Sequence, residues 1–494
     1  MRRNVLLVEP GYKTKFPPLG LMKIAAYHKQ LGDNVCFVKG ISSSLAVDKK
    51  SNTLVSEQFW DRVYITTLFT YNWKLTIDTI NHYKKLIGGD LSRIFVGGIM
   101  ASLEPKAVWE ETGIVPFQGV LNRPGLLDDN EIIVDSVIPD YALFENTPYD
   151  YPLVRQAYIG YSTRGCIRKC EFCGVHKLEP KFIEYKGLIP YVNGIINTYG
   201  EKTDLVLFDN NILASKKFQK IISDIKHLGF EAGAKFGPTK KARRVDFNQG
   251  TDARLLDDNK AKLLSEICIS PLRIAFDSIR YRELYEEKIR LVANYGINHL
   301  SNYILYNHKD TPGDFWQRLK INIDLNEELK LQIYSFPMKY IPLNAKDRTY
   351  INETHWNWLF VRNVQRILNV LKGSVMTSRK FFYRAFGQNE KEFYEILHMP
   401  ERIIMYRGRE VGPDENNWCC KFRELSSGEK KELLEIICTN RAKRELLSVF
   451  AGQKNKKLKD ILEYYLPENT TAASIMPLFE IVQEGFSEKR QTTI

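Results

Sequence analysis

The chain has 494 residues, 44% of them hydrophobic, which is ample for a large core and two or three domains. It holds no apolar run long enough to span a bilayer, opens on a short strand-like Met-Arg-Arg-Asn-Val-Leu-Leu-Val rather than a signal peptide, and spreads eight cysteines too thinly for a disulfide framework. A reduced, cytoplasmic setting without membrane contact is expected, and the net charge of +12 (71 Lys and Arg against 59 Asp and Glu) hints at an anionic partner such as nucleic acid or reflects a merely basic surface.

Residues 1–150 alternate apolar β-prone runs with helical ones. Strands are expected at 4–8, 35–38, 62–67 and 94–96, with a helix over 18–31 stopped by Gly32. Strands alternating with helices make a doubly wound parallel sheet, a Rossmann-type domain. The stretch from Pro17 to Tyr27, the run Val96-Gly97-Gly98-Ile99-Met100-Ala101-Ser102 and the later Pro139-Asp140-Tyr141 are similar to a cobalamin-binding-like domain. That resemblance implies a corrin ligated from below by an Asp-x-His-x-x-Gly stretch. None of the eight histidines has Asp two positions before it, and Gly119-Val120-Leu121-Asn122-Arg123-Pro124-Gly125 stands where an acidic turn is expected. Cobalamin is thus an admissible but disfavoured cofactor.

The stretch Tyr161-Ser162-Thr163-Arg164-Gly165-Cys166-Ile167-Arg168-Lys169-Cys170-Glu171-Phe172-Cys173 carries the most chemistry. Cys166, Cys170 and Cys173 stand at C-x3-C-x2-C, so three thiolates on one short loop can hold three irons of a [4Fe-4S] cluster and leave the fourth open to a small molecule. The rival is a zinc knuckle, whose fourth ligand would have to be His176. With the aromatic Phe172 before the last cysteine, the stretch resembles the signature of the radical S-adenosyl-L-methionine (SAM) superfamily. The resemblance implies that SAM chelates the open iron through its amino and carboxylate groups, that reductive cleavage yields a 5′-deoxyadenosyl radical, and that an electron donor such as flavodoxin or ferredoxin feeds the cluster.

From residue 157 a strand-then-helix unit recurs six times within 151–345. Strands are expected at 157–162, 205–208, 245–248, 272–276, 301–306 and 332–336, and helices at 188–199, 216–228, 257–267, 281–295 and 312–329. Parallel strands joined by right-handed crossovers form a barrel or open sheet whose ligands sit at the C-terminal strand ends, where the cysteine loop also falls. The resemblance adds that this is a partial (β/α)6 barrel and that the other strand ends hold SAM. Asp209 and Asn210 are expected near its amino group, Asp277 with Ser278 at the ribose hydroxyls, and Gln249, Arg254 and Asn307 elsewhere around it, with His308 next to Asn307. The rival for each of these residues is a capping or turn role, since Asp, Asn and Ser are turn formers.

The basic insertion that carries Lys235, Lys240, Lys241, Arg243 and Arg244 is expected either to reach the barrel mouth and meet an anionic substrate or to be a solvated loop. Residues 346–494 read as a helical C-terminal domain, with helices near 356–371, 430–437 and 459–465 and a polar end at 484–494. There Arg379-Lys380-Phe381-Phe382-Tyr383-Arg384, followed by Arg402, Tyr406, Arg407 and Arg409, interleaves cations and aromatics, a pattern of either nucleic-acid binding or core packing. Cys419, Cys420 and Cys438 leave a second cluster open, whereas Cys36 and Cys268 read as core. The favoured reading is a radical SAM enzyme that abstracts hydrogen from an unidentified substrate, RNA or peptide among the candidates. Its rivals are a cobalamin-dependent radical methyltransferase and a non-catalytic iron–sulfur module that binds nucleic acid.

Overall fold

Val5 to Val8 have no solvent exposure, which is what a central parallel strand covered on both faces requires. The structure is a computed structural model and describes residues 2–42, 59–407 and 414–466. It divides into two units, Met1–Leu305 with Ile321–Tyr350, and Tyr306–Lys320 with Ile351–Ile494.

The first unit opens with β1 (Asn4–Glu9), α1 (Leu19–Gln30), β2 (Asn34–Lys39), β3 (Arg62–Thr67), α2 (Trp73–Leu86), β4 (Ile94–Gly98), α3 (Ile99–Leu103) and α4 (Pro105–Thr112). The strands form one parallel sheet in the order β2-β1-β3-β4. The chain leaves β1 in one direction and returns on its other side, so a crevice opens at the C-terminal ends of β1 and β3. Strand β2 is an edge, and Cys36 on it is exposed, against the expectation of a core cysteine. Its neighbours Phe37 and Val38 take the buried positions instead.

After α5 (Pro152–Gln156) come β5 (Ala157–Gly160), α6 (Val175–Leu178), α7 (Ile189–Tyr199), β6 (Asp204–Leu207), α8 (Phe218–His227), β7 (Lys235–Phe236), β8 (Lys241–Ala242) and β9 (Arg244–Phe247). Then follow α9 (Asp258–Ser265), β10 (Leu272–Arg273), α10 (Arg282–Asn294), β11 (His299–Tyr306), α11 (Pro312–Leu329) and β12 (Gln332–Lys339). The strands run β5-β6-β9 and β10-β11-β12. The two halves join where Thr251 N–H donates to the Arg273 carbonyl at 2.8 Å and the Arg273 guanidinium forks onto Asp246 at 2.7 and 2.8 Å. This is the partial barrel of six strands. Strand β10 is shorter than expected. Beyond Arg273 the amides of Ile274 and Phe276 still reach Ser301 and Tyr303, at 2.9 and 3.2 Å. One continuous core holds Val5, Leu7 and Met22 together with Tyr158, Leu205 and Phe247, so the N-terminal sheet and the barrel strands of this unit are packed as one body of side chains.

The basic insertion is a two-stranded antiparallel hairpin, β7 with β8. It precedes β9 and therefore lies at the N-terminal strand ends, where Arg243 pairs with Glu201 at 3.2 Å just ahead of β6. The cysteine loop follows β5 and lies at the opposite ends. The expectation that these cations reach the barrel mouth is thus overturned: in a parallel sheet, a helix-to-strand connection returns to the end away from the ligands.

The second unit adds α12 (Trp358–Val370), α13 (Arg379–Phe386), α14 (Glu390–His398), α15 (Glu401–Tyr406), α16 (Asp414–Arg423), α17 (Ser427–Thr439), α18 (Lys443–Gly452) and α19 (Lys456–Leu462). Its core gathers Phe315, Trp356, Phe382, Phe386, Phe393 and Trp418. Of the aromatic and basic run, Phe382 is core, while Phe381, Lys380 and Arg384 are exposed. Arg402 pairs with Asp414, and Arg407 with Glu392 and Glu415. Arg409 and the polar end at 484–494 lie outside the described residues. Among the described residues no helix is long and apolar enough to cross a membrane.

Candidate active site

Strand β5 ends at Gly160, and the chain turns into the cysteine loop under the control of Asp209, which follows β6. Asp209 is fully buried. Its oxygens accept from the backbone amide of Ser162 at 2.9 Å, from the Ser162 hydroxyl at 2.6 Å, from the Thr163 hydroxyl at 2.6 Å and from the Thr163 amide. Four donors on one carboxylate leave it little capacity for a ligand. Its structural work is to tie the root of the loop to the neighbouring strand.

The next residues are held from the other side. Gly165 has φ +74°, and a Cβ there would stand 2.5 Å from the Lys181 carbonyl, so this position admits no side chain. Its amide donates to Glu179 at 2.6 Å. Glu179 also accepts from Arg164 at 2.9 Å and from Asn210 at 3.1 Å. Arg164 reaches Asp135 as well, and Asp135 is 3.0 Å from Lys23 on α1. Burial alone would raise the Asp135 carboxyl, but Lys23 and Arg164 hold it below the usual carboxylate range. This nearly buried chain of charges runs from the N-terminal sheet's first helix into the cysteine loop.

The three thiols lie within electrostatic reach of one another. Cys166 Sγ accepts from the Arg168 amide at 3.3 Å and from Asn211 Nδ2 at 3.5 Å. The Arg254 guanidinium lies near Cys170 and the Val175 amide near Cys173, each favouring the thiolate over the thiol. Burial pushes both the Cys170 and Cys173 thiols up, with Arg254 opposing the shift at Cys170. Asp277 is half-buried and acts electrostatically on both of these cysteines. Arg254 is itself clamped by Asp252 at 2.6 and 3.1 Å, and Asp252 binds Arg168 of the loop at 3.0 Å. The structure therefore brings Cys166, Cys170, Cys173, Arg254 and Asp277 together at the C-terminal strand ends. Among the described residues no three His, Cys, Asp or Glu side chains are gathered closely enough for a single metal ion.

Other candidate residues have different surroundings. Phe172 and Ser278 are half-buried, and Gln249 is exposed and bonded to Asn248 at 3.4 Å. Asn307 belongs to the second unit, where it is fully buried, has φ +66° and accepts the Asn352 amide at 3.0 Å. His308 follows it and donates its amide to Asp310 at 3.0 Å. In the same unit Cys438 faces Asn357 at 3.7 Å, while Cys419 lies among Arg423, Glu415 and Glu395, so these two cysteines do not share a site. Asn211 is a residue that sequence reasoning missed. It is 2% exposed, and its Oδ1 is buried without a hydrogen-bond partner among the described residues. Its place directly after Asp209-Asn210 was the available signal. Glu179, Asp135 and Lys23 carried none.

The C-terminal edge of the N-terminal sheet borders this site. Phe16, after β1, lies 5.8 Å from Phe208, and Phe208 lies 5.9 Å from Tyr161, both edge to face. A Cβ on Gly174 would stand 3.3 Å from Leu103 of α3.

No family model matches the chain, and no curated protein matches it in sequence. Among solved structures, it is similar to the radical S-adenosylmethionine methyltransferase TsrM from Kitasatospora setae with cobalamin and a [4Fe-4S] cluster bound, at 15% identity and TM-score 0.48, over 70% of this chain and 77% of that one. The same enzyme with tryptophan substrate and the SAM analogue aza-SAM bound matches at 16% identity and TM-score 0.47, over 69% and 75%. At that identity and score, the chemistry of the site has to be argued from its own side chains.

Proposed function

We propose that this chain is a radical SAM enzyme. The observation that carries the reading is the set of three thiols on one loop at the C-terminal strand ends, with the Arg168 amide and Asn211 Nδ2 donating to Cys166 and the Arg254 cation beside Cys170. That donor set fits a cluster with one iron left free of protein. When bound, the cluster supplies the electron that cleaves SAM to methionine and a 5′-deoxyadenosyl radical, which takes hydrogen from the substrate.

The chain's own residues orient and enclose. Asp277 offers a carboxylate to the ribose diol. The acceptors of Asp209 are taken by Ser162 and Thr163, so the role of accepting from the N–H of the SAM amino group passes to the unpartnered Oδ1 of Asn211. Arg254, clamped by Asp252, places positive charge beside the cluster. Phe16, Phe208 and Tyr161 supply apolar cover. A small acidic carrier such as flavodoxin or ferredoxin is the proposed electron source, and RNA or a peptide the proposed substrate class.

A second reading, a cobalamin-dependent methyltransferase, is favoured by the ligand edge of the N-terminal sheet bordering the cysteine loop. The two separate on hydroxocobalamin: stoichiometric retention through gel filtration with methyl transfer to product establishes the second, and no retention with hydrogen abstraction the first. The primary test is anaerobic reconstitution. About one four-iron cluster per chain is expected, with a reduced EPR signal that changes on adding SAM and reductant-dependent 5′-deoxyadenosine. Zinc without iron on the loop would sink the reading, as would an iron cluster that never cleaves SAM.

A further inference from the structure

Three kinds of N–H group lie near the three sulfurs. Those from Arg168 and Val175 are backbone amides, and that from Arg254 is a cationic side chain held by Asp252. Asn211 alone among them is a neutral side chain, and it is almost wholly removed from solvent, its relative exposure being 2%. Its backbone is fixed because its carbonyl accepts the Ala214 amide at 3.1 Å at the start of a short turn of helix. The amide orientation is chosen by chemistry: a ligating thiolate accepts and cannot donate, so it selects the Nδ2 end 3.5 Å away and leaves Oδ1 pointing elsewhere.

Resting on the radical SAM reading, we infer that Asn211 is a tuning residue, whose N–H to Cys166 Sγ stabilises the reduced cluster and raises its reduction potential. One-electron reduction adds a negative charge that spreads over the thiolate sulfurs. An N–H pointed at one of them gains more from the reduced state than from the oxidised one, and in a buried setting water does not screen that difference. The same residue serves two partners with its two ends, the cluster ligand through Nδ2 and the SAM amino group through Oδ1. Binding of SAM would then hold the amide in the orientation that favours accepting an electron.

The test is an EPR-monitored redox titration of the full chain, reconstituted anaerobically and without SAM, so that the Oδ1 contact plays no part. Asn211→Asp keeps the shape and replaces the donor by a carboxylate that repels the thiolate. Asn211→Ala removes both ends. At the wild-type midpoint, the reduced-to-oxidised ratio is expected to fall about tenfold in Asn211→Asp, a shift of about 59 mV for one electron, and by a smaller factor in Asn211→Ala. Iron content read on the same samples separates the possible failures. Wild type that binds no iron overturns the functional reading itself. Wild type and variants that load iron equally, with coincident midpoints, overturn the tuning role and leave the function standing. If Asn211→Ala does not load, Asn211→Asp is read alone. If neither loads while wild type does, Asn211 holds the loop and does not tune it, and the inference is wrong.

Discussion

The guanidinium of Arg164 stands 3.6 Å from the centroid of the Tyr161 ring. Tyr161 is the first residue past β5, and Arg164 is the last but one before Cys166, so this stack folds the loop back on its own root. In a partly desolvated place it contributes about 2 kcal/mol. The charges on Arg164 are met by Glu179 and Asp135, and the amide of Gly165 by the same Glu179.

Glu179→Ala therefore strands one buried N–H and half of a buried cation's partners. A loss of about 3 kcal/mol is expected in chemical denaturation of the apo chain, together with poor iron retention. Glu179→Gln keeps an acceptor for Gly165 and should cost about 1 kcal/mol. Equal stability of wild type and Glu179→Ala would show that the network is not structural.

Asp209→Ala removes four hydrogen bonds at a site with no solvent access. Unsatisfied Ser162 and Thr163 donors should lower stability by about 3 kcal/mol. If Asp209 is a loop anchor, SAM affinity of whatever fraction still loads iron changes little. A selective loss of SAM binding at full stability would return Asp209 to the ligand shell.

Acid stability has a source in the N-terminal domain, at Asp128. Burial would raise the Asp128 carboxyl, but hydrogen bonds from Arg3 and Tyr27 and the charge of Arg62 outweigh it and hold the carboxyl at about 2, against an ordinary 3.8. A depressed carboxyl contributes stability that is complete above its unfolded value and lost as pH falls through its folded one. That contribution should disappear between about pH 4 and about pH 2. It amounts to at most about 2 kcal/mol, or about 1 once solvent screening is counted. Asp128→Asn should flatten this part of the unfolding profile, and an unchanged slope counts against the assignment.

Replacing Lys235, Lys240, Lys241 and Arg244 by Gln should leave substrate-free SAM cleavage within about twofold, because the hairpin sits at the strand ends away from the cysteines. If RNA binds this face, the same variant flattens the salt dependence of binding in proportion to the number of phosphates these cations neutralise. A large fall in SAM cleavage would mean that the hairpin reaches the site after all.

Patterns confined to a short window were legible from residue order alone. Apolar runs at strand and helix periods located the parallel sheet, the six strand-then-helix units and the helical end, and three cysteines within eight positions named a candidate cluster loop. Periodicity and spacing are properties of neighbouring residues, so no fold is needed to see them. What tertiary structure alone decided was every relation across the sheet. Asp209 is a loop anchor because strand pairing brings it to Ser162, 47 positions away in the chain. Lys23 joins the site through Asp135, 112 positions on. The basic hairpin lies at the far end because strand direction places it there, and Cys36 is exposed because β2 is an edge. Such contacts depend on which strands pair and in which register, and each is one choice among many that the same local sequence allows.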